Sequence, residues 1–196
     1  MTTSILRPAV SLLVAMTVIT GIAYPAVITG IAKLAFPDAA AGSVILRDGT
    51  PVASRLIGQN FSDPKYFWGR PSATGSYAYN GTASAGTNQG PLNPALTDAV
   101  KQRIEALRSA DPTNTKAVPV DLVTASASGL DPHISVAAFE YQIARVAKAR
   151  NMSPDAVRTL TAPYIEDQAF GFLGEPRVNV VEVNLALDAA KPAAAR

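Results

Sequence analysis

The chain has 196 residues, 48% of them apolar, with 17 Lys and Arg, 15 Asp and Glu, 1 His and no Cys. That length and apolar content fit one folded domain with an anchor and exclude an intrinsically disordered chain. Without cysteine there is no disulfide, thiolate nucleophile or thiolate metal site, and a single imidazole excludes a multi-histidine metal centre.

The net charge of +2 is local: Arg7 and Lys33 are the only charged side chains before Asp38, so 15 of the 17 cations face all 15 acidic residues in the remainder. Nucleic-acid binders draw most of their affinity from a basic surface that neutralises phosphates. A balanced remainder excludes that class.

Pro8–Ala32 is a run of 25 residues without charge. A helix rises about 1.5 Å per residue, so about 20 residues cross the roughly 30 Å hydrocarbon layer. The run predicts a single N-terminal transmembrane helix within residues 1–38, followed by a soluble domain over 39–196. Gly21 and Pro25 suit a soluble helix poorly, but a membrane tolerates them where neighbouring helices satisfy the backbone. Thr17 and Gly21, at small-xxx-small spacing, and Pro25 are therefore the candidate partner contacts in the span. The competing reading is a cleaved signal peptide with Ala39–Ala41 as its A-x-A site. A signal's apolar core runs about 7–15 residues, which favours a retained anchor. Arg7 favours an N-terminus in the cytoplasm and a domain outside, with Lys33 and Arg47 voting the other way.

Ser43–Gln59 predicts a β-hairpin turning at Asp48-Gly49, with Pro51 marking an edge strand. Phe61–Asn93 follows, holding six of the 13 aromatics (Phe61, Tyr66, Phe67, Trp68, Tyr77 and Tyr79) and no charge between Arg70 and Asp98. It has no sustained period. Such a long loop is either a docked functional surface or a segment pinned by its own aromatics as a satellite core. On the first reading it supplies the partner contacts Phe61, Trp68, Arg70, Tyr79 and Asn88, the composition of an interface core. Asn93-Pro94 starts a helix with Leu96, Val100, Ile104 and Leu107 on one face. Ala117–Thr124 predicts an extended strand, and Thr124–Ser135 a run of turns. Ser135 caps a helix with Val136, Phe139, Ile143 and Val146 as its stripe, and a further helix carries Val157 and Leu160 to Pro163. In Arg177–Asp188 the alternation of Val181, Val183, Leu185 and Leu187 predicts a half-buried strand with a bulge near 180–181. The fold class is α+β: one transmembrane helix, then a globular domain with a small mixed sheet and about three helices.

No P-loop or G-x-G-x-x-G is present. A serine hydrolase would have to combine Ser126 or Ser128 with His133 and Asp131. Asp131-Pro132-His133 is better explained by turn and cap chemistry, and the G-x-S-x-G elbow is absent. Glu166 and Asp167, neighbours on a predicted helix, diverge and do not form an acid/base pair. No catalytic or metal residues are assigned. The residues alone describe an anchored accessory domain.

Five motifs in order, IGQNFSDPKYFWGRPSA, YN, GTNQGPLNP, DLVTASASGLDPHIS and LGEPRVNVVEVNLALD, resemble the C subunit of the Kdp-type potassium-transporting ATPase, over roughly Arg7 to Asp188. Ala127 departs from the family's Thr-Ala-Ser-Gly-Ser-Gly, a change that matters only if the backbone there needs positive φ. The resemblance implies a single-span, non-catalytic subunit in a bacterial plasma membrane. Its implied partners are a P-type ATPase subunit and a channel-like potassium-translocating subunit. It implies a catalytic chaperone that assists assembly and raises the ATP affinity of the ATPase subunit through a ternary complex, with no cofactor of its own. The alternatives from other classes are an anchored extracytoplasmic serine hydrolase and a secreted binding domain released at Ala41.

Overall fold

A computed structural model describes residues 3–190, in two compact units that divide between Val52 and Ala53.

In the first unit, α1 (Thr3–Val18) continues through a π-helical turn (Ile19–Ala23) into α2 (Tyr24–Ala35). Ile5–Ala35 is long and apolar enough to cross a membrane, and 0% of its most apolar window is buried within the chain. The wide turn has a cause in Pro25, which lacks an N–H and crowds the turn before it. The helix widens there, and the Tyr24 N–H donates to the Ile19 carbonyl five residues back. The Thr20 hydroxyl donates to the Met16 carbonyl at 2.7 Å, which satisfies it inside the helix. α2 ends at Phe36, whose φ of −139° and ψ of 60° leave the helical region that the following Pro37 disfavours. A short α3 (Pro37–Ala40) leads to β1 (Val44–Arg47) and β2 (Thr50–Ser54), which pair as the expected hairpin. Asp48 and Gly49 have φ of 50° and 76°, as a two-residue primed turn demands.

The second unit holds α4 (Pro94–Ala110), β3 (His133–Ser135), α5 (Val136–Ala149), α6 (Pro154–Thr161), β4 (Ile165–Glu166), β5 (Arg177–Asn179) and α7 (Val180–Ala189). Every helix here has a side-chain cap. Asn93, Ser135 and Ser153 accept from the Ala95, Ala138 and Ala156 N–H groups, and Asn179 accepts from Val181 and Glu182. The three-stranded sheet has the order β3-β5-β4, and Val178 sits opposite both Ile134 and Ile165. Phe139, Ile143 and Val146 of α5 pack with Val157, Val183, Leu187 and the sheet's Ile134 and Val178.

The α+β class holds, with both strand pairings of this sheet antiparallel and four helices of eight or more residues in the second unit. The extra helix corrects the expected C-terminal strand. Only Arg177–Asn179 is extended, and no bulge follows. Val180, Val183, Asn184 and Leu187 are buried at helical spacing, a period hidden beneath the alternating one. The Asn179 cap and packing on α5 and α6 override the β propensity of the valines. The strand expected at Ala117–Thr124 is also corrected. Pro119 removes a donor, and Val120–Leu122 forms a 3-10 turn pinned from outside. The Asp121 carboxylate accepts from the Ser135 N–H at 2.7 Å and the Ser135 hydroxyl at 3.1 Å. Glu166 lies on β4, not on a helix.

Candidate partner interface

In the transmembrane segment, Thr17, Gly21 and Pro25 are all exposed. A Cβ built on Gly21 would meet only the Thr17 methyl, at 4.0 Å. The segment thus presents a shallow notch beside a widened turn, open to another helix.

Between β2 and α4 the chain forms no helix or longer strand, yet its stretch from Pro64 to Trp68 is gripped by side chains from α5, α7 and Arg150, which follows α5. Phe67 is 0% exposed and stacks on Phe139, ring centres 4.7 Å apart. Asn184 accepts from the Phe67 N–H at 2.8 Å and donates to its carbonyl at 2.9 Å. Gln142 does the same for Trp68, at 2.8 and 3.1 Å. Arg145 lies over the Trp68 ring at 4.3 Å and donates to the Pro64 and Tyr66 carbonyls at 2.6 and 3.0 Å. Burial lowers its guanidinium to about 10. Arg150 donates to the Lys65 carbonyl and to Asp188, whose other oxygen accepts from the Tyr66 hydroxyl. Phe67 therefore belongs to the main core, with Phe61 and Trp68 packed against it, whereas Tyr77 is exposed.

Tyr79 locks the second half. Its φ is 60°, its hydroxyl donates to the Arg70 carbonyl at 2.6 Å, and burial pushes its phenol up to about 12. Its ring lies where a Cβ on Gly58 would stand, and its oxygen is 2.7 Å from a Cβ position on Gly69. Glycine at 58 and 69 is what admits the ring. Gly129, at φ 68°, is needed equally: a Cβ there would lie 2.8 Å from the Ala85 carbonyl oxygen. Ala127 is exposed and is not among the residues with positive φ, so its replacement of a family glycine is free of strain.

Phe61, Trp68, Arg70 and Tyr79 thus all serve this fold, half-buried, while Asn88 is exposed at a φ of 51°. A cavity of about 320 Å³ opens among Phe61, Trp68, Arg70 and Tyr79. Arg70 is bound to Asp131 at 3.1 Å and to the Ala125 carbonyl at 3.3 Å. On the other side of Arg70, about 350 Å³ lies between it and Asp121, Asp131, His133, Glu175 and Arg177.

Among the described residues, no hydrogen bond joins Ser126 or Ser128 to His133. The buried Ser126 hydroxyl accepts from the Gly129 N–H at 2.9 Å, and Ser128 accepts from Leu130. His133 instead faces two carboxylates, Nδ1 at 3.4 Å from Asp131 and Nε2 at 3.5 Å from Glu166. Burial opposes ionisation of Asp131, but hydrogen bonds from His133 and the Arg70 charge outweigh it and hold the carboxyl below its ordinary 3.8.

One exposed feature has no counterpart in the sequence reading. At the β4–β5 tip, Phe170, Phe172 and Leu173 are 87%, 72% and 50% exposed. AFGFL is apolar throughout, and the fold sets it at the turn between β4 and β5 with its large side chains exposed.

The family model described as K+-transporting ATPase, c chain, matches residues 6–189. Among similar chains, a Potassium-transporting ATPase KdpC subunit of Polaromonas naphthalenivorans is 64% identical over 189 residues, covering 96% of both chains. That of Variovorax paradoxus is 61% identical, covering 97% of this chain and 98% of the relative. That of Dechloromonas aromatica is 60% identical, covering 94% and 97%. Similarity of this extent is decisive: the chain belongs to the KdpC family, the c chain of K+-transporting ATPases.

Proposed function

We propose that the chain acts as an assembly factor and catalytic chaperone within its potassium-transporting complex. Its span docks on the P-type ATPase subunit and the channel-like potassium-translocating subunit through Thr17, Gly21 and Pro25. The N-terminus lies in the cytoplasm and the globular unit outside, where the Phe61–Asn93 loop offers Tyr77 and Asn88, both exposed, to a partner. The observation that carries this reading is the bare helix Ile5–Ala35, whose apolar window is unburied within the chain and whose notch at Gly21 suits close helix approach.

On this proposal the chain raises ATP affinity without cradling ATP. A triphosphate needs uncommitted cations or backbone N–H groups. At the two cavities flanking Arg70, that guanidinium is already bound to Asp131. The larger cavity sets three carboxylates against Arg70 and Arg177. These residues do not fit a triphosphate. The effect then travels as a coupling free energy between subunits, typically about 1–3 kcal/mol.

The test is purification from a membrane extract through a C-terminal tag. The P-type ATPase and channel-like subunits are expected to co-purify at fixed ratio. Recovery of the tagged chain alone, or an intact mass lacking the first 41 residues, overturns the proposal.

A further inference from the structure

The β4–β5 tip is ordered and apolar at once. Ala169 and Leu173 exchange two backbone hydrogen bonds, both 2.9 Å, and the Gln168 amide donates to the Gly174 carbonyl at 2.8 Å. Phe170, Gly171 and Gly174 all hold positive φ, at 55°, 76° and 81°. Phenylalanine seldom adopts that geometry. The result is a hydrogen-bonded knuckle with Phe170 and Phe172 displayed to solvent. A contiguous apolar patch on an otherwise balanced surface marks a contact, and one already in its bound shape loses little entropy on docking.

The flanking charge selects the occupant. Glu166 is taken up by Arg177 at 2.8 Å, while Asp167 and Glu175 stand exposed on either side of the tip. From Glu166 to Glu175 there is no Lys, Arg, Trp or Tyr. Segments that rest on bilayers carry such residues, and anionic headgroups repel carboxylates. A second copy would bring the same two carboxylates against each other. An apolar pocket with a basic rim meets neither objection.

We propose that the tip from Ala169 to Gly174 is a preformed plug. It seats Phe170 and Phe172 in an apolar pocket of a partner subunit of the same complex, with Lys or Arg on that pocket's rim opposite Asp167 and Glu175. The plug rests on the complex-subunit reading above. It is a contact separate from the transmembrane notch.

The test uses the tagged full chain co-expressed with its partner subunits. A photoreactive p-benzoylphenylalanine at Phe172 is expected to crosslink to a partner subunit. Crosslinking only to lipid, or only to a second copy, overturns the plug. Phe170→Ser with Phe172→Ser is expected to lower partner recovery at least tenfold while the chain's own melting temperature holds. Asp167→Lys with Glu175→Lys, a surface change that spares the apolar tip, is expected to lower recovery several-fold. Recovery at the unsubstituted level in both variants overturns the plug and leaves the complex intact. Failure of the unsubstituted chain to hold partners overturns the complex reading itself.

Discussion

Gln142 binds both backbone groups of Trp68, and one residue earlier Asn184 binds both backbone groups of Phe67. Two side-chain amides, on α5 and α7, thus act as a neighbouring strand for a segment that has none. Asn184→Leu keeps the volume but strands a buried N–H and carbonyl. Each orphaned group costs about 1–3 kcal/mol, so a loss of about 2–6 kcal/mol is expected in chemical denaturation of the purified chain. A loss below about 0.5 kcal/mol shows that the loop is held elsewhere.

Tyr79 makes alkaline stability a test of the loop's second half. Its folded value of about 12 stands above the ordinary 10.0, so the stability it contributes is complete below pH 10 and is lost as pH rises through 12. That elevation corresponds to about 3 kcal/mol. Tyr79→Phe is expected to flatten the fall in melting temperature between pH 10 and 12. An unchanged alkaline profile contradicts the assignment.

Gly58→Ala places a methyl in the Tyr79 ring. Overpacking of this kind costs about 1–3 kcal/mol. Because the two sites touch, Gly58→Ala with Tyr79→Ala is expected to cost less than the sum of the single changes. Strict additivity in denaturation contradicts the contact.

Asp131 predicts the acid limb. Its carboxyl is held below 3.8, so the stability it contributes is present above that value and disappears as pH falls through the lower folded one. Asp131→Asn is expected to weaken the decline in melting temperature below about pH 4. A decline as steep as in the unsubstituted chain rules out this carboxylate as its source.

What was legible in the sequence was whatever is written locally. A charge-free run gives a helix long and apolar enough to span, Asp48-Gly49 a primed turn, and Asn93 and Ser135 caps. The C-terminal helix was hidden because Arg177–Asp188 carries both a two-residue and a helical period, and contacts with α5 and α6 choose between them. β3 and β4, three and two residues long, are too short to show a pattern. The loop's aromatics were visible, but the groups that hold Trp68 and Phe67 lie 74 and 117 positions away, so their packing was not legible. At Phe170 and Phe172 the reverse held, since only the fold shows that these rings face outward.

The notch at Gly21 gives a prediction in the membrane. Gly21→Leu fills it and is expected to lower recovery of partner subunits several-fold, with no change in the melting of the globular unit. Equal recovery, read as subunit ratio after tag purification, removes the helix from the interface.

The most direct test of the catalytic-chaperone proposal is the ATP dependence of potassium-stimulated hydrolysis by the partner subunits in membranes, with this chain supplied or withheld. A coupling of about 1–3 kcal/mol predicts that the KM for ATP rises about five-fold or more when it is withheld. An unchanged KM in a complex that still assembles and turns over contradicts the account.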